Sequence, residues 1–234
     1  MRMEMKRRDF LQAATGCAFC FGAVRMFALP QETKPLSIIS PGCVKSKVRV
    51  ARIYLGVPKA LWPTPKLDLN AEMGRYDAEF IRMKKDFADV DFVVTKLVTQ
   101  ADQVNDLREA LKDVDGILAI HLSMGVLPML TEILKSRRPT MLFAAPYSGH
   151  EWTSFGALKK KEEGALLDCI LSSDFNQLAV AVRPFRAIHH LREAKIMNVA
   201  AREPSPEYLK SISQRFGTEI KTIGQKQVLD AFNS

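Results

Sequence analysis

The stretch GILAIHLSMGVLPMLTEILKSRRPTMLFAA, residues 116–145, decides the fold. It predicts a strand over 116–121, a helix over 126–136 and a second strand over 140–145, which Pro146 ends. Two strands joined by a helix of this length run parallel through a right-handed crossover. The stretch is therefore predicted to be a β-α-β unit, the repeating element of a parallel sheet that helices cover on both faces.

The same alternation of strands and helices extends on both sides of this stretch. Upstream, the β-branched run VRVARIYLG (48–56) predicts a buried strand, and apolar residues at steps of three and four predict a helix after it. Further predicted elements are strands at 91–97 and 166–171 and helices at 69–87, 104–114, 154–163 and from Phe175, the last capped by Asp174 and broken or kinked at Pro184. Residues 47–193 are thus predicted to form a doubly wound, three-layer α/β domain around a parallel five-stranded sheet, flavodoxin-like or Rossmann-like.

A second α/β unit is predicted to begin after residue 193. Residues 195–200 predict a strand, Ser205 and Pro206 the start of a helix, and Gly217 its end, with one more strand and a short helix up to Ser234. Two β-α units cannot cover both faces of a parallel sheet, so residues 194–234 need more chain, a partner subunit or docking on the first domain. We expect them to be the start of a truncated second domain.

The composition narrows the class of partner. The chain has 234 residues, 47% of them hydrophobic, and 34 basic against 26 acidic residues give a formal charge of +8. These values are typical of a globular protein and exclude a disordered or disulfide-scaffold chain. The basic residues outside the amino terminus are scattered and form no stripe interleaved with aromatics, so we expect no nucleic-acid partner.

The amino terminus resembles a twin-arginine export signal. Arg7, Arg8, Phe10 and Leu11 occupy the places of the arginine pair and the Phe-Leu pair in that pattern, and an uncharged run of 12 residues follows at 13–24. This run is shorter than the ~20 residues that a membrane span needs, so no stable span is expected. We assign 1–30 to the signal and 31–46 to a linker, which implies the twin-arginine translocase as a partner and export to a bacterial periplasm.

The order of several loop segments resembles a sugar isomerase family. The segments are IYLGVPKALWPTPKLDLNAE (53–72), HLSMG (121–125), APYSGHEW (145–152), LSSDFNQL (171–178), FRAIHHLR (185–192) and FGTEIKTIG (216–224). They look like the amino-terminal portion of exported members of the L-fucose/L-arabinose isomerase-like family, over about the first half of a full-length member. The resemblance implies conversion of an aldose to a ketose with a divalent metal, commonly manganese. It places the Glu, Asp and His ligands in later domains, so it implies no metal or cofactor in this chain; it also implies a homo-oligomer.

Candidate ligand contacts follow from the predicted sheet. Ligands of doubly wound sheets bind beyond the carboxyl ends of the strands. Eight residues lie just after predicted strands and are our candidate sugar contacts: Trp62, His121, Ser123, Tyr147, Ser148, His150, Glu151 and Trp152. Trp62 either stacks on a sugar ring or packs on its own helix, and His121 is either a structural residue or a base. The cluster at 147–152 either contacts sugar hydroxyls or forms a subunit interface.

The sequence contains no specific motif for a catalytic triad or a zinc-binding helix. Ser148, His150 and Glu151 are too close in sequence to be taken as a triad, and HEWTS lacks the second histidine of a zinc helix. His189 and His190 are adjacent in a helix, so they should lie on different faces and are not expected to form a metal site by themselves. Cys169 either pairs with Cys43 or is a buried small residue.

Two functions from different classes remain open. The chain is either an exported sugar isomerase-like protein without its metal-binding catalytic half, or a non-catalytic periplasmic carbohydrate-binding module. Neither G-x-G-x-x-G after the first strand nor a P-loop occurs, which disfavours nucleotide enzymes. Catalysis that is lost on chelation and restored by manganese would indicate the enzyme, whereas sugar affinity that survives chelation would indicate the module.

Overall fold

A computed structural model describes residues 46–200 and 202–233. Its larger part is a parallel five-stranded sheet with the order β2-β1-β3-β4-β5, which confirms the predicted fold class. The strands are β1 (Val48–Leu55), β2 (Val90–Val98), β3 (Gly116–His121), β4 (Thr140–Ala144) and β5 (Leu167–Leu171). β3 and β4 are buried along their whole length, as expected for strands covered on both faces.

Helices cover the sheet on both faces and complete the three layers. They are α1 (Leu69–Arg82), α2 (Leu127–Leu134), α3 (Phe155–Lys159), α4 (Gln177–Ala181) and α5 (Arg183–Glu193), with 3-10 helices at Ala101–Leu107, Ala110–Asp113 and Glu151–Ser154. One apolar core joins α1, α4 and α5 to the sheet, and the other joins α2, α3 and the first two 3-10 helices to its opposite face. Alternate residues of β1 and β3 point into these two cores.

Four local details differ from the expectation. The helix predicted at 154–163 begins at Phe155 and ends at Lys159. The helix predicted at 104–114 is instead two short 3-10 helices, because apolar residues at steps of three and four suit either helix type; Val104 and Leu111 are still buried. The helix predicted to reach residue 87 ends at Arg82, and Phe87 enters the core from the turns that follow. The predicted helix from Phe175 starts at Gln177 and is divided into α4 and α5, with Pro184 in the first turn of α5.

Beyond α5 the chain forms a smaller parallel pair of strands. These are β6 (Lys195–Val199) and β7 (Glu219–Ile223), with helices α6 (Pro206–Phe216) and α7 (Gln225–Phe232). As predicted, the Ser205 side chain caps α6 and Gly217 ends it in the left-handed conformation, with φ of 72°. This unit exposes many large apolar side chains: Ile196, Met197, Val199, Tyr208, Val228, Leu229 and Phe232. That it is the start of a larger domain stays a prediction.

None of the helices in the described part of the chain is long and apolar enough to cross a bilayer. The signal residues Arg7, Arg8, Phe10 and Leu11 lie outside the described residues, as does nearly all of the linker.

Candidate functional site

The loops after β1 and β3 meet at the carboxyl edge of the sheet, at the point where the strand order reverses. The Val57 N–H donates to Ser123 Oγ at 2.7 Å, and the Met124 N–H donates to the Trp62 carbonyl at 3.2 Å. Ser123 is fully buried. Its role is therefore to hold the β1 loop, and with it Trp62, beside the β3 loop at the usual ligand position of this fold.

His121, the last residue of β3, connects two residues of the loop after β4. Its Nδ1 lies 2.7 Å from Ser148 Oγ, and its Nε2 lies 2.7 Å from Glu151 Oε2. The single hydroxyl hydrogen of Ser148 is accepted either by the Ala145 carbonyl, 2.7 Å away, or by His121 Nδ1. When Ser148 donates to His121 Nδ1, a neutral His121 ring carries its hydrogen on Nε2 and donates it to Glu151. When Ser148 donates to Ala145, Nδ1 donates to Ser148 Oγ, and Nε2 also donates to Glu151 only if the ring is doubly protonated. His121, Ser148 and Glu151, called the edge network below, thus join β3 to the β4 loop.

Glu151 is the charged member of the edge network. Its second carboxylate oxygen accepts the backbone N–H of Gly125, which brings the β3 loop into the same network. Burial raises the pKa of Glu151, but the hydrogen bonds from His121 and Gly125 and the nearby His121 charge outweigh that effect and lower it from 4.5 to about 2. The side chain is ionised at neutral pH and only 10% exposed.

Gly149 is required between Ser148 and His150. Its φ of 153° lies in a region that residues with a side chain rarely adopt, and a Cβ there would lie 2.6 Å from His121 Cε1 and 2.8 Å from Glu151 Oε2. The β4 loop therefore approaches His121 closely only because residue 149 has no side chain. We did not single out this glycine from the sequence, although its place in the APYSGHEW turn is a signal for such a conformation.

The edge network holds an exposed pair of rings. The Trp62 and His150 rings are nearly parallel, at 21°, with centroids 6.0 Å apart, and Trp62 is 43% exposed. Trp62 therefore does not simply pack on the helix that follows it. Trp152 has another role, because its Nε1–H donates to the Gly149 carbonyl at 2.9 Å and so braces the loop. The chain thus presents Trp62 and His150, called the ring pair below, to solvent.

Tyr147 lies in a second cluster that the sequence analysis missed. The Arg75 guanidinium carbon lies 4.9 Å from the centre of the Tyr147 ring and 5.3 Å from that of Phe175. Arg75 also forms an ion pair with Glu72 at 3.0 Å. The Tyr147 hydroxyl is buried and has no hydrogen-bond partner among the described residues. Helical spacing did predict the face of α1 that carries Tyr76 but gave no reason to link Arg75 to Tyr147.

The edge network is poorly suited to nucleophilic catalysis or to metal binding. Ser148 and His121 are fully buried, so a substrate cannot reach the Ser148 hydroxyl. The Gly125 N–H, which could otherwise stabilise an oxyanion, is used by Glu151. Glu151 and His121 also do not fit the divalent metal that the family resemblance implies, because their ligand atoms are bonded to each other. What the edge can do is bind a ligand on the ring pair.

The remaining candidates have ordinary structural roles. The Asp174 carboxylate accepts the Asn176 N–H at 2.9 Å and so shapes the turn that leads into α4. Cys169 is half-buried, with no disulfide partner among the described residues, and Cys43 lies outside them. Burial and the neighbouring Asp168 charge raise the pKa of the Cys169 thiol to about 11, which makes it unreactive.

Comparisons with known proteins do not assign the chain. No protein-family model matches it, and no curated protein matches it.

Proposed function

We propose that this chain binds a sugar at the carboxyl edge of its sheet, as the non-catalytic amino-terminal part of an exported sugar isomerase-like protein. The observation that carries the proposal is the ring pair, which is exposed at the point where the strand order reverses and held there by the buried edge network. The isomerase class comes from the resemblance of the loop segments described above.

The ring pair has the chemistry that sugar recognition uses. A pyranose has an apolar face of C–H groups, which packs on the face of an aromatic ring, and hydroxyls around its rim, which need polar partners. Trp62 supplies an indole face, and His150 supplies imidazole nitrogens beside it. Both lie on loops that backbone and side-chain bonds fix, which reduces the entropy lost when a ligand binds.

Binding is favoured over catalysis by the edge network because its base and its acid, His121 and Glu151, are already paired. Aldose–ketose isomerisation moves a proton between neighbouring carbons and needs a base that can reach the substrate. Glu151 and His121 are bonded to each other and to the Gly125 N–H and Ser148. This same observation supports the second candidate, a stand-alone carbohydrate-binding module, in which no catalytic half is needed.

Calorimetric titration with L-fucose, L-arabinose and their ketoses tests the proposal. We expect saturable binding by the full chain and at least a tenfold loss of affinity in Trp62→Ala, since the indole face supplies most of the apolar contact. Ile81→Ala is a matched control, because Ile81 is an exposed apolar residue on α1. Equal sugar affinity in the two variants would refute the proposed site.

Chelation separates the two candidate functions. If the chain is a stand-alone module, sugar affinity in EDTA equals affinity without it, and no ketose forms under any condition. If it belongs to an isomerase, ketose forms when manganese and the protein's remaining domains are both supplied, and EDTA abolishes its formation. Binding that survives EDTA, with no ketose formed by the manganese-loaded full-length protein, would exclude the isomerase assignment.

We infer that the chain is exported to the periplasm through the twin-arginine translocase. The support is the pattern of Arg7, Arg8, Phe10 and Leu11 in residues 1–30. Fractionation of cells that express the full chain tests it: the wild type should reach the periplasm, whereas Arg7→Lys/Arg8→Lys should stay in the cytoplasm. An equal distribution of both proteins would refute the export route.

A further inference from the structure

The amino-terminal edge of the sheet, opposite the ring pair, carries a separate group of metal-ligating side chains. His189, His190 and Glu193 lie in the last turns of α5, and their ligand atoms are all within 4.8 Å of one another. We propose that these three residues bind a divalent transition metal of the zinc class. The site is distinct from the sugar site and from the family's metal, whose ligands the resemblance places in later domains.

Asp115 prepares His189 to act as a ligand. The His189 Nδ1 lies 2.9 Å from Asp115 Oδ2, so its N–H donates to the carboxylate, and in the neutral ring the lone pair is on Nε2, beside Ser46 and Glu193. A carboxylate behind the histidine is the usual companion of a metal-ligating imidazole, because it fixes the ring and its tautomer. Asp115 is itself fixed by the Arg49 N–H at 2.9 Å and by Arg192 Nη1 at 3.2 Å.

The distance between His189 and Glu193 fits a tetrahedral metal. The His189 Nε2 and Glu193 Oε2 atoms are 3.5 Å apart. Two ligands about 2.1 Å from a zinc ion at the tetrahedral angle are about 3.4 Å from each other. Ser46 Oγ lies beside both, 3.0 Å from the nitrogen and 2.6 Å from the oxygen, where it or a water molecule completes the coordination.

His190 provides an independent indication of a ligand. Both of its ring nitrogens are buried, and neither has a hydrogen-bond partner among the described residues. A buried polar atom without a partner is costly, and a neutral imidazole has one nitrogen whose lone pair can accept a hydrogen bond or bind a metal. Coordination of one His190 nitrogen would remove this cost. No interaction with another described residue offers an explanation for it.

The charges around the three residues are mixed. The carbonyl end of a helix carries a partial negative charge, and His189, His190 and Glu193 are in the last two turns of α5, where Glu193 and Asp115 add two carboxylates. Arg192 opposes a cation; it pairs with the other Asp115 oxygen and is 46% exposed, so solvent screens it. Further positive charges line a pocket beside Asp115: Arg49, Lys112 and Arg138.

This arrangement differs from what adjacency in the sequence suggests. We expected His189 and His190 to lie on different faces and not to form a metal site by themselves. The planes of their rings are tilted by 72°, but the centroids are 5.5 Å apart, and Glu193 lies one turn further along the helix. The third ligand was one turn away, and Asp115, which positions His189, was 74 residues away in the sequence.

Zinc binding by the full chain tests the proposal. Equilibrium dialysis against zinc chloride, with the metal measured by mass spectrometry, should give one zinc per chain that His190→Ala and Glu193→Gln each weaken at least tenfold. His150→Ala and Glu162→Gln are the matched controls, since both residues are exposed and lie elsewhere. Because thiols outside the described residues also bind zinc, the series is repeated with Cys17, Cys20 and Cys43 changed to serine.

A second measurement distinguishes a preformed metal site from unspecific zinc binding by exposed histidines. Cobalt(II) should give the visible absorption of a tetrahedral site in the wild type, and Asp115→Asn should change that spectrum and weaken zinc binding about 10- to 100-fold while the circular dichroism is unchanged. If His150→Ala lowers zinc affinity as much as His190→Ala does, or if neither His190→Ala nor Glu193→Gln lowers it, the proposed site does not exist. If Asp115→Asn unfolds the chain, the His190→Ala and Glu193→Gln results decide alone.

Discussion

Replacement of Glu151 by glutamine tests whether the edge network holds the loops of the candidate site. The carboxylate accepts two hydrogens, one from His121 Nε2 and one from the Gly125 N–H. A glutamine side chain has only one acceptor oxygen, so its amide N–H₂ must face one of these two donors. The variant therefore keeps the shape of the side chain but removes its charge. Its amide N–H₂ either opposes the Gly125 N–H or requires His121 to move its hydrogen from Nε2 to Nδ1.

The pKa of Glu151 gives the size of the effect. Its fall from 4.5 to about 2 on folding corresponds to about 3 kcal/mol, at about 1.4 kcal/mol for each tenfold change in proton affinity. We expect Glu151→Gln to lower the free energy of unfolding at pH 7 by about 2–3 kcal/mol. Because the carboxyl is harder to protonate in the folded state, this contribution is complete above about pH 4.5 and is lost as the pH falls towards 2.

Urea denaturation followed by circular dichroism is the assay, at several values between pH 7 and pH 3. Wild type should be more stable than Glu151→Gln at pH 7 and at pH 5, and the difference should shrink as the pH falls below about 4.5. Glu162→Gln is the control, since Glu162 is an exposed partner of Arg137 and should change stability by less than ~1 kcal/mol. If Glu151→Gln is as stable as this control, or if its difference from wild type does not depend on pH, the reasoning is wrong.

Two further substitutions test the packing that supports the site. Gly116→Ala places a Cβ 2.0 Å from the buried Phe185 ring and should lower the free energy of unfolding by about 1–3 kcal/mol in urea denaturation. Gly74→Ala, whose Cβ would lie in open space on α1, should raise it by about 0.5–1 kcal/mol. Equal changes in the two variants would contradict the close contact between Gly116 and Phe185. Arg186→Met leaves the buried Asp89 carboxylate unpaired and should lower the free energy of unfolding by about 3–5 kcal/mol. The double variant Arg186→Met/Asp89→Leu should recover most of this loss. If the double variant is no more stable than the single one, the ion pair itself is stabilising.

The sheet could be predicted from the sequence because its signals are local. Runs such as VRVARIYLG and GILAIH are β-branched, apolar and bounded by turn residues, so each strand can be predicted from its own residues alone. Helix type was less certain, because the apolar spacing at 104–114 satisfies both an α-helix and a 3-10 helix. There the capping decided: the Gln103 side chain accepts the N–H groups of Thr99 and Gln100 and fixes a tight first turn.

The candidate site could be located but not assembled from the sequence. The rule that ligands bind beyond the strand ends selected His121, Ser148 and Glu151 one by one. Their mutual bonds span 27 and 30 residues and depend on the conformation of Gly149; the turn composition is a signal for that conformation but does not show the partners of the three side chains. The sequence therefore left the role of each residue open. The tertiary contacts show that Ser148, a candidate sugar contact, is instead a buried structural residue of the candidate site.

The two proposed sites lie at opposite edges of one sheet, and this makes their tests independent. β3 runs from Gly116, next to Asp115, to His121, and at about 3.3 Å per residue its six residues separate the edges by about 20 Å. Substitutions so far apart that share no partner act additively. Trp62→Ala should therefore leave zinc affinity unchanged, and His190→Ala should leave sugar affinity unchanged, each measured by titration of the same protein preparation. A loss of sugar binding in His190→Ala would mean that the sheet transmits a change across its full length, because neither ring of the pair touches α5.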